Sequence, residues 1–401
     1  MDYFKRLSLI FALFIAYLSG HSQDLDKRIM VLSGGGARGA WGGSLAMKLC
    51  RSYDYDVSIG TSTGSLIAPF ILSEDSLSLE KAYTNVTQKQ IFSVNPFKTR
   101  GKNKGQIKYF KLGLRIVFGN ETAGKSKNLR KLIRKELDTA KYKLMIAKGE
   151  FIATVVEFES GRVHYQSSND YMDNREQMLD WIWASANQPI FMSLYKTVNA
   201  QGDRQYWIDG GIRENVAVVK ALEKAVEKID NWEDPNTGKL ASENGKKDII
   251  EIDVIVNNSE DAVLTPFKAR ILPSLFRTID IFSYDTRSND VTIPGGILNE
   301  PTVRSEMNKM SQPISKVDDE PIDIVKMNFY YMNRKEFDEG ANGFDKFPTS
   351  LLFDPERMKE MWRLGKLEKS VIKHDPLEIS IDLARAIIDA QSELSEKLGT
   401  Y

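Results

Sequence analysis

The sequence predicts an α/β fold in which helices cover both faces of a mostly parallel central sheet, with a helical extension at the C-terminus. Three observations lead to this prediction. Strand and helix patterns alternate through about the first 260 residues. The strand runs are short and largely apolar, as in sheets that are buried on both faces. Two of these runs also pass directly into glycine-rich turns that open a helix.

The individual elements follow from hydrophobic periodicity. Residues 28–32 form an apolar strand that enters a glycine loop, and the small residues 39–49 predict a helix behind that loop. Apolar and polar residues alternate from 53 to 59, which indicates a second strand, and the apolar run 66–72 predicts the helix after its turn. The remaining predicted elements are strands at 151–158 and 249–256 and helices at 178–186, 214–229, 355–372 and 377–398.

The N-terminus has the pattern of a secretory signal peptide. Lys5 and Arg6 precede the apolar run 7–18, which would span roughly 18 Å as a helix and is too short for the ~30 Å core of a bilayer. Gly20 and Ser22 are small residues two apart, where a signal peptidase cuts. We therefore expect export and a mature chain that is periplasmic or secreted, soluble or attached to a membrane surface. An uncleaved N-terminal anchor is the alternative.

The domain organisation follows from these patterns. We predict a signal peptide at 1–22, a catalytic domain at 23–259, and a mainly helical region at 260–401 that completes or covers the domain. The 55 Lys and Arg residues equal the 55 Asp and Glu residues, so no overall basic charge points to nucleic acid. The single cysteine, Cys50, excludes an intramolecular disulfide and any metal site built from several cysteines. We expect no cofactor and no metal.

The stretch VLSGGGARGAW at residues 31–41 predicts an anion site. Gly34, Gly36 and Gly39 have the G-x-G-x-x-G spacing of dinucleotide-binding loops, whose bare N–H groups approach a pyrophosphate. The same geometry also suits the oxyanion of ester hydrolysis. A dinucleotide needs an acidic residue at the end of the next strand, whereas Asp54 and Asp56 lie in its first half. Together with the expected export, this favours the oxyanion.

A second glycine motif supports a rival hypothesis. Residues 119–126 match the G-x-x-x-x-G-K-[ST] phosphate loop, with a strand-like run at 114–118 before them and a helical pattern after them. A nucleotide-dependent enzyme is therefore an alternative. Export, the position far along the chain and the abundance of lysine around Lys125 all count against it.

Ser62 is the candidate nucleophile. It lies in Gly60-x-Ser62-x-Gly64 between a predicted strand and a predicted helix, where a strained turn exposes a serine hydroxyl. In a parallel sheet the turns after neighbouring strands lie side by side, so we expect the glycine loop to face Ser62. Asp209 ends an apolar strand in the segment WIDGG and is a candidate base. A Ser62, Asp209, His374 triad has the chain order of the α/β-hydrolases and stays open.

Four segments in order, GGGARG, GTSTGSL, ASANQPIF and DGGIRENVAV, resemble those of the patatin-like phospholipases over residues 28–225. The resemblance implies a three-layer α/β/α fold and a Ser-Asp dyad without histidine, acting on acyl esters of phospholipids or lysophospholipids. Ser65, Pro69 and Ala217 depart from the family pattern, but none of them is a reacting group. The implied site comprises Gly34, Gly35, Gly36 and Arg38 as oxyanion hole, Ser62 as nucleophile between Gly60 and Gly64, and Asp209 as base.

The region 98–148 is strongly basic. It contains 16 Lys or Arg residues and three acidic residues, interleaved with apolar side chains. Such a segment can insert apolar side chains into a lipid interface while its cations meet anionic headgroups. We therefore expect peripheral contact with anionic membranes through 98–148, and a solvated charged face is the alternative. A lipid-binding module without catalytic activity is a further alternative function.

Overall fold

The computed structural model describes residues 28–101, 106–232, 248–258, 290, 323–333, 335–336 and 351–398. The predicted signal peptide at 1–22 lies outside these ranges. In this part of the chain, no helix combines the length and the apolarity that crossing a bilayer requires.

A single mixed sheet of ten strands organises the described chain. The strands are β1 (Arg28–Leu32), β2 (Tyr55–Thr61), β3 (Glu150–Glu157), β4 (Val163–Ser167), β5 (Tyr195–Val198), β6 (Arg204–Asp209), β7 (Ile249–Val256), β8 (Ile324–Met332), β9 (Val371–Lys373) and β10 (Leu377–Ser380). Their order is β10-β8-β7-β1-β2-β3-β6-β5, with β4 paired to β3 and β9 to β8. The centre, β8-β7-β1-β2-β3, is parallel, whereas the flanking strands are antiparallel.

Helices cover both faces of this sheet. They are α1 (Gly39–Leu49), α2 (Thr63–Leu72), α3 (Ser76–Thr84), α4 (Gln88–Ile91), α5 (Tyr109–Val117), α6 (Lys127–Glu136), α7 (Thr139–Lys148), α8 (Arg175–Ser185), α9 (Val218–Asn231), α10 (Pro355–Gly365) and α11 (Ile381–Leu398). Alternate residues of β1 point to opposite faces, so Met30 and Leu32 pack with α1, α2, α8 and α10. Ile29 and Val31 pack with α9 and α11. This arrangement confirms the predicted α/β fold class.

The C-terminal residues contribute to both the sheet and the helical layers. Strand β8 pairs with β7 in parallel from Ile249↔Ile324 to Val256↔Tyr331. Helix α10 packs on α1, where the Ser44 hydroxyl donates a 2.6 Å hydrogen bond to the Trp362 carbonyl. These residues therefore share one core with the N-terminal strands. The domain boundary at 259–260 stays a prediction.

One of the sequence-based element assignments was wrong, and two predicted helices were too long. The run 114–118, predicted as a strand, lies mainly in α5, because its apolar residues continue a helical spacing that begins at Phe110. The predicted helices 355–372 and 377–398 are shorter, since residues 371–373 and 377–380 are strands. Both short strands pair with β8, a tertiary contact that hydrophobic periodicity does not encode.

Candidate active site

Ser62 occupies a strained turn between β2 and α2. It is the N-cap of α2, with φ 55° and ψ −119°, a left-handed conformation that is uncommon for a residue other than glycine. The turn closes only around glycines. A Cβ on Gly60 would lie 2.4 Å from the carbonyl carbon of Gly64, and a Cβ on Gly64 would lie 2.0 Å from the Leu32 oxygen. The turn therefore holds the Ser62 hydroxyl at the positive end of a helix.

Asp209 reaches Ser62 because strands β2 and β6 run toward each other along β3. Strand β2 pairs in parallel with the first half of β3 and ends with Thr61 opposite Thr154. Strand β6 pairs antiparallel with the second half of β3 and ends with Asp209 opposite Val155. The carboxyl ends of β2 and β6 therefore meet at adjacent positions of β3. The Ser62 hydroxyl donates a 2.6 Å hydrogen bond to Oδ2 of Asp209.

The surroundings of Asp209 favour a carboxylate that exchanges its proton near neutral pH. The residue is 5% exposed, and burial raises its pKa to about 7. The hydrogen bonds from the Ser62 hydroxyl and the Gly211 N–H favour the charged form and partly oppose this rise. A group with this pKa can both accept and return a proton at neutral pH, as a general base requires.

The glycine loop lies beside Ser62, as its place after the neighbouring parallel strand predicts. A Cβ on Gly34 would lie 3.1 Å from the Ser62 Cβ, and Gly36 lines the same cavity as Ser62. The Gly34 N–H donates a 2.6 Å hydrogen bond to Oδ1 of Asn215, so it already has an acceptor. For Gly35 and Gly36, the described residues provide no acceptor for the N–H groups. The N–H groups of Gly35 and Gly36 are therefore available to bind an oxyanion, whereas that of Gly34 is not.

The guanidinium group of Arg38 forms hydrogen bonds that hold the glycine loop in place. Its Nη1 donates a 2.8 Å hydrogen bond to Oδ1 of Asn258, and its Nε donates to the Gly35 carbonyl at 3.3 Å. Asn257 supports the same loop, because its backbone N–H and its side chain both bond Ser33. Gly35 packs so closely on Asn257 that a Cβ there would lie 2.6 Å from the Asn257 Cβ. Contacts to the end of β7 therefore set the shape of the loop.

Two further supporting residues come from the segment ASANQPIF, which was quoted in the sequence analysis without a role. The Ser185 hydroxyl accepts a 3.0 Å hydrogen bond from the Ser62 N–H. The Asn187 carbonyl accepts a 3.0 Å bond from the Asp209 N–H. Sequence reasoning also missed Asn215 and Asn257, although both are polar residues that closely follow predicted strands. That position is the one signal that could have identified them.

An apolar cavity opens at Ser62. Glu136 is the only charged residue among the described side chains that line it. Most of the lining is aliphatic or aromatic and comes from α2, α3, α6 and the segment before α10. Among these side chains are Leu66, Phe70, Ile91, Leu129, Leu132 and Ile133.

The nucleotide hypothesis for residues 119–126 finds no support in the local geometry. A helix, α5, precedes the loop where a phosphate loop requires a strand. The backbone N–H groups of Ala123, Lys125 and Ser126 donate to Ile190, Val94 and Ser193. The Ser126 hydroxyl is buried and donates a 2.6 Å hydrogen bond to Oδ1 of Asn187. These backbone donors are therefore not arranged around a phosphate.

His374 is placed away from Ser62. It is exposed, directly follows β9, and its ring packs against Tyr331 of β8 at 5.4 Å between centroids. Strand β8 is three strands from β2, which corresponds to about 14 Å at the usual strand spacing. The described geometry thus brings Ser62 and Asp209 together without this histidine. No cluster of three potential metal-binding side chains occurs within the described ranges.

Part of this chain is similar to a known protein family. A family model described as patatin-like phospholipase matches residues 30–222 and supports lipid acyl hydrolysis as the general activity. Among solved structures, the chain is similar to VipD from Legionella pneumophila, with TM-score 0.33 and 14% identity, covering 87% of this chain and 68% of VipD. A likeness this distant carries no functional argument. No protein with a curated description matches the chain significantly. Residues 30–222 of this chain therefore match the patatin-like phospholipase family.

Proposed function

We propose that this protein is a serine acyl hydrolase that cleaves acyl esters of phospholipids or lysophospholipids with a Ser62–Asp209 dyad. The observation that carries the proposal is the direct 2.6 Å hydrogen bond from the Ser62 hydroxyl to a buried Asp209 carboxylate. A serine nucleophile requires a base within hydrogen-bond reach, and Asp209 occupies that position without an intervening imidazole.

The reaction has two halves. Asp209 accepts the hydroxyl proton while the Ser62 oxygen attacks the ester carbonyl, and the carbonyl oxygen takes the negative charge. The free N–H groups of Gly35 and Gly36 stabilise that charge, each by about 2.7 to 4 kcal/mol if well placed. Asp209 then returns the proton to the leaving alcohol, which leaves an acyl-enzyme. Water attacks this ester, gives its proton to Asp209, and releases the fatty acid as Ser62 recovers its proton.

The cavity supports a lipid substrate. Ser62 lies among its mainly aliphatic and aromatic lining residues, so an acyl chain bound there would have its ester carbonyl near the nucleophile. Each methylene removed from water contributes about 0.8 kcal/mol. Burial of acyl methylenes in this cavity would therefore contribute to the affinity for an ester substrate.

Variants of three residues test the dyad in a p-nitrophenyl butyrate assay. Ser62→Ala should abolish hydrolysis, and Asp209→Asn should lower kcat/KM by about 10²- to 10⁴-fold, the usual contribution of a general base. His374→Ala should leave kcat/KM unchanged. Ser73→Ala, which removes a hydroxyl at the other end of α2, is the matched control. A large loss in His374→Ala would support the triad, and activity retained in Ser62→Ala would overturn the proposal.

The pH dependence provides a second test. Because burial raises the pKa of Asp209 to about 7, the base is protonated and inactive below that pH. We expect kcat/KM for the same ester to fall about tenfold per pH unit below 7 and to reach a plateau above it. The profile is best measured in His374→Ala, so that this imidazole makes no contribution. An inflection near pH 4, the range of a solvated carboxylate, would contradict the assigned environment.

We also propose peripheral contact with anionic membranes through residues 98–148. Helix α5 has no buried residue, and Phe110 and Val117 are each 80% exposed and lie on one face. Phe118, 75% exposed, extends this face. Cations of the same region, including Lys111 and Arg115, flank these apolar side chains. An exposed apolar face bordered by cations is the arrangement that inserts at a lipid interface.

A flotation assay with vesicles that contain phosphatidylserine tests this contact. Phe110→Ala/Phe118→Ala, made in Ser62→Ala to prevent hydrolysis, should weaken vesicle binding by at least about tenfold, since each buried phenyl ring is worth roughly 1.5 to 3 kcal/mol. Leu77→Ala/Val198→Ala removes two other exposed apolar side chains, on α3 and β5 and outside residues 98–148, and should bind like the parent. Equal losses in both pairs would refute a specific role for α5.

Export is a further proposal, supported by the charged, apolar and small-residue segments of residues 1–22. Mass spectrometry of protein recovered outside the cytoplasm should show a mature chain that starts at Gln23. An intact Met1 in that fraction would contradict cleavage.

A further inference from the structure

A second cavity lies on the other side of α6 from the apolar cavity. Its volume is about 630 Å³, and it is bounded by the end of α5, the loop that follows, and α6. Six Lys or Arg residues line it, against the single acidic residue Glu121. The cations are Arg115, Lys125, Lys127, Arg130, Lys131 and Arg134.

Four of these six cations, Arg115, Lys125, Lys127 and Lys131, have no carboxylate partner within the described chain. Arg130 and Arg134 bind Asp180, and Glu121 pairs with Lys196, which is not part of the lining. For Lys125, Lys127 and Lys131, the described residues provide no ion pair. The cavity therefore contains concentrated positive charge that the described part of the chain does not neutralise.

Arg115 adds a more specific feature. Its Nε donates a 2.8 Å hydrogen bond to the Thr122 carbonyl, which fixes the guanidinium plane. Its terminal Nη2 is buried, and no described residue accepts a hydrogen bond from it. A buried cationic donor without an acceptor is costly, and an anion in the cavity would satisfy it. Guanidinium groups are well suited to phosphate oxygens.

The start of α6 favours an anion for a second reason. Lys127, Arg130 and Lys131 lie in the first half of this ten-residue helix, where positive charge opposes the helix dipole, and its first turn has no acidic residue. The N-cap residue, Ser126, donates its hydroxyl to Asn187 and does not cap the helix. An anion beside these residues would relieve both the mutual repulsion and the unfavourable dipole interaction.

We propose that this basic cavity binds a phosphate group, either the phosphate monoester of a lipid headgroup or a soluble phosphate ion. A monoester carries about −1.5 to −2 charges at pH 7 and three acceptor oxygens, which match a fixed guanidinium and several unpaired lysines. Side chains would bind the phosphate here, whereas a phosphate loop at 119–126 would have used backbone N–H groups. Since Leu129, Leu132 and Ile133 of the same helix line the apolar cavity, α6 separates the phosphate site from the acyl site. The proposal does not depend on hydrolysis.

Binding is tested in the Ser62→Ala protein, so that a failure of the catalytic proposal does not affect the result. Inorganic phosphate, titrated at constant ionic strength, should raise Tm, because a ligand that binds only the folded state stabilises it. Lys127→Gln/Lys131→Gln, and separately Arg115→Gln, should lose this rise. The matched control Lys135→Gln/Lys143→Gln removes two exposed lysines outside the cavity and should keep it.

Vesicles then distinguish the two sources of phosphate. Vesicles with phosphatidic acid, a monoester, are compared with phosphatidylserine vesicles of equal zeta potential. At least a fivefold preference for phosphatidic acid, lost in Lys127→Gln/Lys131→Gln and kept in the control pair, assigns the site to a lipid headgroup. A phosphate-induced rise in Tm without that preference assigns it to a soluble phosphate. Absence of both effects, or equal loss in both lysine pairs, would overturn the proposal.

Discussion

The hydrogen bond between Ser62 and the buried carboxylate of Asp209 is the interaction on which the proposed chemistry depends. It exists because β2 and β6 approach from opposite directions along β3 and end at adjacent positions. The same burial that raises the pKa of Asp209 to about 7 makes the folded state hold a proton that the unfolded chain releases near pH 3.8. The contribution of Asp209 to stability therefore falls as the pH rises between these values and is lowest above about 7. The site gains a usable base at a cost in stability at neutral pH.

Close backbone packing holds the reacting groups in place. Gly60, Gly64 and Gly34 lie where a Cβ would collide with the backbone or side chains of neighbouring elements. The asparagines at the ends of strands then fix the loop, since Asn215 bonds the Gly34 N–H and Asn257 bonds Ser33. Such a site has little freedom to adjust, which suits electrostatic stabilisation by donors fixed in advance.

The local parts of this site could be predicted from the sequence, whereas their assembly could be predicted only in part. The turn at Ser62 and the loop at Gly34 follow from glycine spacing and from the parallel pairing of their strands. The antiparallel approach of β6 could not be predicted, because strand direction depends on partners distant in the chain. The hydrogen bond from the Gly34 N–H to Asn215 is likewise a tertiary contact, which the sequence pattern does not encode. The run 114–118 was misassigned because five mainly apolar residues fit a strand and a helix equally well.

Helix α6 connects the two ligand sites inferred for this chain. Its apolar side faces the cavity at Ser62, and its basic side faces the cavity at Arg115. Together with the exposed face of α5, this arrangement would place the proposed acyl, phosphate and membrane contacts on adjoining surfaces. A peripheral enzyme that takes its substrate from a bilayer requires such contacts.

The rate at which a fluorophosphonate modifies Ser62, followed by peptide mass spectrometry, tests the central claim most directly. The reagent reacts with an activated serine hydroxyl and requires neither a membrane nor a particular acyl chain. The account predicts covalent modification at Ser62 in the wild-type protein and a rate at least about a hundredfold lower in Asp209→Asn, given the usual contribution of a general base. An unmodified Ser62, or equal rates in the two proteins, would contradict it.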